Sequence, residues 1–529
     1  MIRQSFAKGA SVLIAASLVT RVLGFVYRIF LTRLIGAEGI GLFQMVFPLL
    51  TLALTLVTAG MGVAVAKIIA EIQIVGDRRR LSQVMTLATT ITLGLALVGT
   101  GLLFAFGHAL AIRIFPDPRA YIPFITLIPV LTVIALSSVL RGYFQGLQQM
   151  STPSVASIIE TAVRIAAVWA IATLSLQKGL AYAAAGVSAG MIIGELSGLV
   201  YMYAVYRKKG GIRTLPLPTF TGRTESWRGS LRALLQLAIP VTLSRLLGSL
   251  AFAIEPILVT RSLHSMGYAA PLATQMYGEY SGMAVPLLLF PTVITYSLAV
   301  QLVPAVSEAL AAKNRRLVER RLYQSFRATA IVGLPSSLVL TLLATPLCFA
   351  LFHHAQVGRL LAIMAPAGFL LYLQAPLSGI LQGINRAGIA MRNSLIGAAV
   401  KLIAIYLLIT RPGMGAEGIA WSVAISVVVT TFLHIASVHR HVGFYVDAID
   451  TAKLLVATLV TGVYLHFAWL HSAFLNNLGQ QLLLVISSGL TLYLLLLLTM
   501  RSLTSHSFLR IPVVGRPLAR WIRLIPFVR

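Results

Sequence analysis

The sequence predicts an all-α polytopic membrane protein of about 14 transmembrane helices, and three observations carry that prediction. Only 11% of its 529 residues are charged and 58% are hydrophobic, where soluble domains carry about 25% charged residues. Apolar runs of about 20 residues, enough to cross a hydrocarbon core of about 30 Å as helices, recur from one end of the chain to the other. Basic residues gather in the short connections between those runs.

In order, spans are expected at 10–33, 40–66, 83–108, 121–145, 153–175, 181–206, 232–262, 273–303, 322–350, 358–383, 390–411, 416–438, 452–471 and 478–500. The first run is too long for the apolar region of a signal peptide and has Arg21 in its middle, so it reads as a retained helix. An even number of crossings puts both termini on one side. With the termini in the cytoplasm, the outer connections hold only Arg33, Arg113, Arg119, Lys178, Arg261, Arg359 and Arg411 of the 42 basic residues. Arg78–Arg80, Arg207–Lys209 and the set from Lys313 to Arg327 then face the cytoplasm, as the positive-inside rule requires. This distribution, rather than nucleic-acid binding, accounts for the net charge of +28. One cysteine, Cys348, excludes an intramolecular disulfide framework and a multi-cysteine metal site. No histidine cluster has ligand spacing, so neither metal nor cofactor is expected.

The chain repeats itself. Thr20-Arg21-Val22-Leu23-Gly24 returns as Ser244-Arg245-Leu246-Leu247-Gly248. Glu71 with Asp77-Arg78-Arg79 returns as Glu308 with Asn314-Arg315-Arg316. In that same register Pro129 maps to Pro366, Gly142-x-x-Gln145-Gly146 to Gly379-x-x-Gln382-Gly383, and Arg164 to Lys401. Six helices per unit make these parallel repeats, an arrangement common in transporters that work by rocking one lobe against the other. The expected organisation is a six-helix lobe over 1–206, a basic cytoplasmic linker over 207–231, a second six-helix lobe over 232–441, an added helix pair over 442–500 and a basic amphipathic tail over 501–529. Solvation and inner-leaflet binding are both open for that tail.

Charges inside the spans are the candidate functional residues. With helix entry near Gly9, Arg21 lies about 18 Å deep, near the bilayer midplane. Arg28 follows two turns later on nearly the same face, and Arg245 repeats Arg21 in the seventh span. A central arginine costs about 2.5–3.5 kcal/mol on insertion scales and usually faces a bundle interior or aqueous cavity. Two facing lobes would turn Arg21, Arg28 and Arg245 towards one anion-attracting space, where the planar guanidinium suits phosphate oxygens. Snorkelling to the interface competes for Arg28, and a structural ion pair for Arg21 and Arg245. Glu160 and Arg164 have the i, i+4 spacing of a structural helical pair. Glu255, before Pro256, and Glu279, in the glycine-rich break Tyr277–Gly282, either bind a coupling proton or cation or balance the arginines. The Gly-x-x-Gln-Gly elements read as packing turns.

KGASVLIAASLVTRVLGFVYR, ALSSVLRGYFQGLQQM, QMYGEYSGMAVPLLLFPTVITYSLAVQLVPAVSE and MRNSLIGAAVKL resemble the stage V sporulation protein B family over nearly the whole chain. That family belongs to the multidrug/oligosaccharidyl-lipid/polysaccharide exporter superfamily and is similar to the lipid II flippase MurJ. The resemblance implies a V-shaped fold of two six-helix lobes with an added helix pair. It also implies transport of an undecaprenyl-linked peptidoglycan precursor for the spore cortex, in the bacterial cell membrane or forespore membranes, with spore wall synthesis proteins as possible partners. Arg21 and Arg28 match the first-helix arginines that line the flippase's cationic cavity; Arg245 rests on the internal repeat. Some relatives bind sodium through acids on helices 7 and 11, whereas here helix 11 has Asn393 and no acid. The basic midplane motif argues against export of cationic drugs. The lack of a large outer loop, with Glu38 the only acid in the first outer connection, argues against a membrane glycosyltransferase. Export of another lipid-linked polysaccharide unit, or a scaffold role in spore wall assembly, stays open.

Overall fold

The computed structural model describes residues 6–75, 77–208, 226–443, 447–472 and 475–502, with side chains from residue 19 onward. Most of the expected linker (209–225) and nearly all of the expected tail (503–529) lie outside the described residues. Every regular element among those described is helical.

Helices α1 (Phe6–Thr58), α2 (Met61–Val75), α3 (Arg78–Ile114), α4 (Tyr121–Leu127), α5 (Val130–Gly146), α6 (Ser151–Leu176), α7 (Leu180–Lys208), α8 (Trp227–Ser265) and α9 (Ala270–Gly278) fall in one compact unit, which spans Met1–Met283 and adds Ile405–Ala416. The second unit, Ala284–Ala404 with Glu417–Arg529, holds α10 (Val285–Leu289), α11 (Thr292–Ala311), α12 (Arg315–Leu342), α13 (Ala344–Phe352), α14 (Val357–Met364), α15 (Gly368–Gly383), most of α16 (Ala387–Ile409) and α17 (Gly415–Val442), α18 (Ala448–His471) and α19 (Leu478–Thr499). Thus α8 and α9, which open the second sequence repeat, pack with the first six spans, against α1.

Thirteen stretches among the described residues are long and apolar enough to cross a membrane, and the first, Val19–Ile74, has 56 residues. That length, about 84 Å as a straight helix, suffices for two crossings. The two expected spans it contains are separated at Gly36, whose backbone (φ 68°, ψ −179°) breaks the helical path inside α1. Only glycine adopts that conformation at low cost, so one residue does the work of the expected connection over 34–39.

The repeat is visible in the packing. Gly142 on α5 lies against the carbonyl of Gly62, and Gly146 against that of Ala66. In the second unit, Gly379 on α15 lies against the carbonyl of Ala299 and Gly383 against that of Val303. Each contact of the second set is the first set moved along the sequence by one common interval. A Cβ at any of these positions would run into a neighbouring backbone, so the glycines let two helices approach where lipid supplies no hydrophobic push between them. The cassettes agree as well: Asp77 caps α3 by accepting from the Arg80 amide (2.9 Å), and Asn314 caps α12 by accepting from the Leu317 amide (3.0 Å). A left-handed residue ends both glycine helices, Gln148 at φ 57° and Asn385 at φ 59°.

Gly142→Val and Gly379→Val should each destabilise the purified protein, by about 1–3 kcal/mol, with the larger loss at Gly142, where the facing carbonyl lies nearer an added Cβ. Thermal unfolding in detergent measures this; a larger loss at Gly379 would contradict it.

Candidate functional site

Helix α1 brings Arg28 against a distorted turn. After α9 the chain passes through a π-helical turn over Glu279–Ala284 before α10 begins at Val285. This is the glycine-rich break read in the sequence. Just before the turn, α9 approaches α1 closely: Gly278 abuts the carbonyl of Ala37, and Gly41 abuts that of Thr274. Widening from i+4 to i+5 hydrogen bonding disturbs the backbone ladder locally, a feature frequent at functional sites. The Ser281 carbonyl accepts from Arg28 Nη1 (3.2 Å) and from Gln44 Nε2 (3.3 Å), which also reaches Ser281 Oγ (3.1 Å). Arg28 is half-buried and forms no ion pair among the described residues. A neutral carbonyl leaves the guanidinium its full charge, and its other donors are available to an anion.

Both acids named from the sequence flank this turn. Glu255 on α8 is 4% exposed and accepts from the Tyr280 hydroxyl (2.6 Å), while Glu279, also 4% exposed, accepts from Gln275 Nε2 (2.9 Å). Arg21, two turns before Arg28 on α1, is half-buried. Arg245 stands exposed on α8, with no side-chain hydrogen bond or ion pair among the described residues. The structure therefore gathers Arg28, Glu255 and Glu279 about one turn and leaves Arg245 apart from it.

The Glu160–Arg164 pair exists and is part of something larger. Glu160 is ion-paired to Arg164 and to Arg141 on α5 (2.7 Å), and Arg164 reaches Glu195 on α7 (3.0 Å). Arg141 also donates to Ser157 Oγ (3.1 Å). Two acids and two bases pair with one another, which offsets their desolvation, and the network ties α5, α6 and α7 together. One of its donors, Arg164 Nε, is buried without a hydrogen-bond partner among the described residues. Arg141 escaped the sequence reading because its partner lies on another helix.

A second polar cluster sits beside the Gly36 kink inside α1. Arg119 grips Asp117 through two bonds (3.0 and 2.7 Å) and Glu38 through a third (2.6 Å), and Thr274 on α9 donates to Asp117 (3.0 Å). Burial pushes the Asp117 carboxyl up, but the hydrogen bonds from Arg119 and Thr274 outweigh it and hold the group below the usual carboxylate range. Among the described residues no three His, Cys, Asp or Glu come together as metal ligands.

The second unit carries an apolar cavity of about 570 Å3 between α10, α12, α13, α18 and α19, lined among others by Phe290, Val339, Leu465, Ile486 and Leu490. The added helix pair supplies one wall.

A carboxyl whose folded pKa is depressed stabilises the fold above its unfolded pKa, about 3.9, and that contribution is lost as pH falls through the lower folded value. The melting temperature of the natural protein should therefore exceed that of Asp117→Asn by a constant margin between pH 5 and 8, and the margin should shrink progressively as pH falls below about 4. A margin that is absent at pH 7 would show that the cluster does not hold α9 to the rest of the first unit.

Residues 6–310 match the polysaccharide biosynthesis protein family, and residues 281–407 match the MatE family. Stage V sporulation protein B of Bacillus subtilis is 36% identical over 98% of this chain and 100% of its own length. The lipid II flippase MurJ of the same organism is 24% identical over 90% of each chain. Among solved structures, an inward closed form of a lipid II flippase MurJ superposes with a TM-score of 0.65 at 16% identity, over 92% of this chain and 97% of that one. An inward-facing multidrug resistance MATE transporter of the MOP superfamily superposes at 0.64, with 16% identity, over 82% and 98%. These likenesses establish the fold, and MurJ and the MATE protein among the relatives are a flippase and a transporter rather than enzymes. With its many apolar spans, its paired glycine seams and a match covering more than half its length, the chain is a multi-pass membrane protein belonging to the polysaccharide biosynthesis protein family, together with stage V sporulation protein B.

Proposed function

We propose that this protein is a flippase that moves an undecaprenyl-diphosphate-linked peptidoglycan precursor of the lipid II type across the membrane, for synthesis of the spore cortex. The observation that carries the reading is Arg28, a guanidinium inside a membrane helix whose bonded partner is a neutral carbonyl. Such a group attracts an anion, and its fork geometry fits a diphosphate. Arg21 lies on nearly the same face of α1, so the two extend one basic track along the helix. Arg245 enters the same cavity on this reading through its place in the repeat.

In the transport cycle the two repeated lobes rock about the bound lipid, with the termini in the cytoplasm. Arg21 and Arg28 hold the diphosphate in the middle of the membrane, where water is scarce and the attraction is strong. The apolar cavity beside α18 and α19 offers a path for the prenyl chain, which gains about 0.8 kcal/mol per buried methylene. Glu255 and Glu279, one helical contact away from Arg28, are placed to take up a proton or cation when the anion leaves. The sequence likeness to MurJ supports lipid II as the cargo, and the likeness to stage V sporulation protein B supports the spore cortex. The family match over 6–310 favours a second reading, export of another lipid-linked polysaccharide unit.

Expression in a bacterium depleted of its own lipid II flippase tests the proposal. The natural sequence should restore growth, while Arg21→Ala and Arg28→Ala, present at equal abundance in the membrane, should reduce rescue at least tenfold in viable count. Rescue by the natural chain and both variants alike would remove the arginines from the mechanism. No rescue by a well-inserted natural chain would favour the second cargo.

A further inference from the structure

The first unit holds another cavity, of about 700 Å3, formed by α3, α5 and α7. Its floor is aliphatic, from residues such as Leu140 on α5. One wall is the stripe Ser82, Thr86 and Thr90 on α3, spaced i, i+4, i+8 and exposed; the other includes exposed Tyr203 on α7. The three α3 hydroxyls have no hydrogen-bond partner among the described residues, and Thr86 and Thr90 lie within the expected span, where water is scarce.

Both walls run into arginine at the same end, where α3 begins and α7 finishes. Arg79 precedes Ser82 by three residues and Arg207 follows Tyr203 by four, so each shares the groove face of its helix. Both are exposed. The arrangement is a short amphipathic slot: two cations at the mouth, hydroxyls just inside, and an apolar floor beyond. From Ser82 to Thr90 it runs about 12 Å, the length of part of one acyl chain.

We propose that this groove binds a membrane phospholipid with an anionic headgroup. The phosphate lies between Arg79 and Arg207, the glycerol and ester oxygens meet Ser82, Thr86 and Tyr203, and one acyl chain runs over Leu140. Charge complementarity selects this occupant, since basic pockets between helices on the cytoplasmic side suit anionic lipid heads. The positive-inside bias places this mouth at the inner leaflet. The site is separate from Arg28 and does not depend on what the protein transports.

Native mass spectrometry of the full chain tests this, with the protein taken from micelles holding equal phosphatidylglycerol and phosphatidylcholine. The natural protein should retain phosphatidylglycerol in preference. Arg79→Gln/Arg207→Gln should lower that retention by about fivefold per arginine and leave phosphatidylcholine unchanged. Thr86→Trp, which fills the slot, should lower both, and Arg315→Gln/Arg316→Gln, at the equivalent cassette on α12, should change neither. If the double variant does not elute as folded protein, Arg207→Gln alone carries the test with a fivefold loss. Equal retention of the two lipids, unchanged retention in the arginine variants, or a dimer that Thr86→Trp dissociates without loss of lipid would overturn the proposal.

Discussion

A guanidinium inside a hydrocarbon layer has to be given somewhere to point, and the rest of the first unit follows from how Arg28 is given it. Hydrocarbon offers no hydrogen bonds, so an unassigned cation there would be expelled towards the interface or would drag water in. The chain answers with a backbone carbonyl on a π-helical turn. A carboxylate would have satisfied Arg28 more completely and would have cancelled its charge. The difference between Arg28 and Arg164 makes the point. Arg164 is bound to Glu160 and Glu195 in a four-member network, and it locks helices together. Arg28 is bonded, among the described residues, to a carbonyl dipole, and on the proposed reading its charge is left for another partner.

Delivering that carbonyl depends on close helix contact, and close contact depends on small residues. Between membrane helices the hydrophobic effect contributes little, so packing has to come from backbone approach. Gly41 and Gly278 bring α1 within reach of the turn, as Gly142 and Gly379 bring their helices onto neighbouring backbones. Gly36 breaks the helical path inside α1, and Glu38, just past it, pairs with Arg119. The polar groups beside that kink then tie α9 to the same bundle through Thr274 and Asp117.

Much of this was legible in the residues. Hydropathy located the spans, because each crossing must be long and apolar whatever its neighbours are. The repeat was legible too, since Gly142 and Gly379 each face a neighbouring carbonyl, and Asp77 and Asn314 share a capping role. The Glu160–Arg164 pair was readable from its i, i+4 spacing. What could not be read depends on contacts between helices. Nothing in sequence spacing links Arg141 to Glu160, Tyr280 to Glu255, or Arg28 to the carbonyl of Ser281. The glycine-rich stretch Tyr277–Gly282 signalled a break in a helix; that the break is a π turn with an accepting carbonyl follows from its packing against α1. Likewise α8 and α9 read as the opening of a second lobe, yet they pack with the first six spans. Repetition in sequence reports common descent of the elements, and compactness reports which helices touch.

The central claim is that Arg28 retains its charge in order to hold a lipid diphosphate. Its most direct test is the affinity of the purified full chain in detergent for undecaprenyl diphosphate, compared with Arg28→Gln at equal folded fraction. A hydrogen bond to a charged group is worth about 1.5–3 kcal/mol, so the substitution should weaken binding by about ten- to a hundredfold and leave binding of undecaprenol, which lacks the diphosphate, unchanged. Equal affinity of both proteins for the diphosphate would contradict the claim and return Arg28 to a structural role at the π turn.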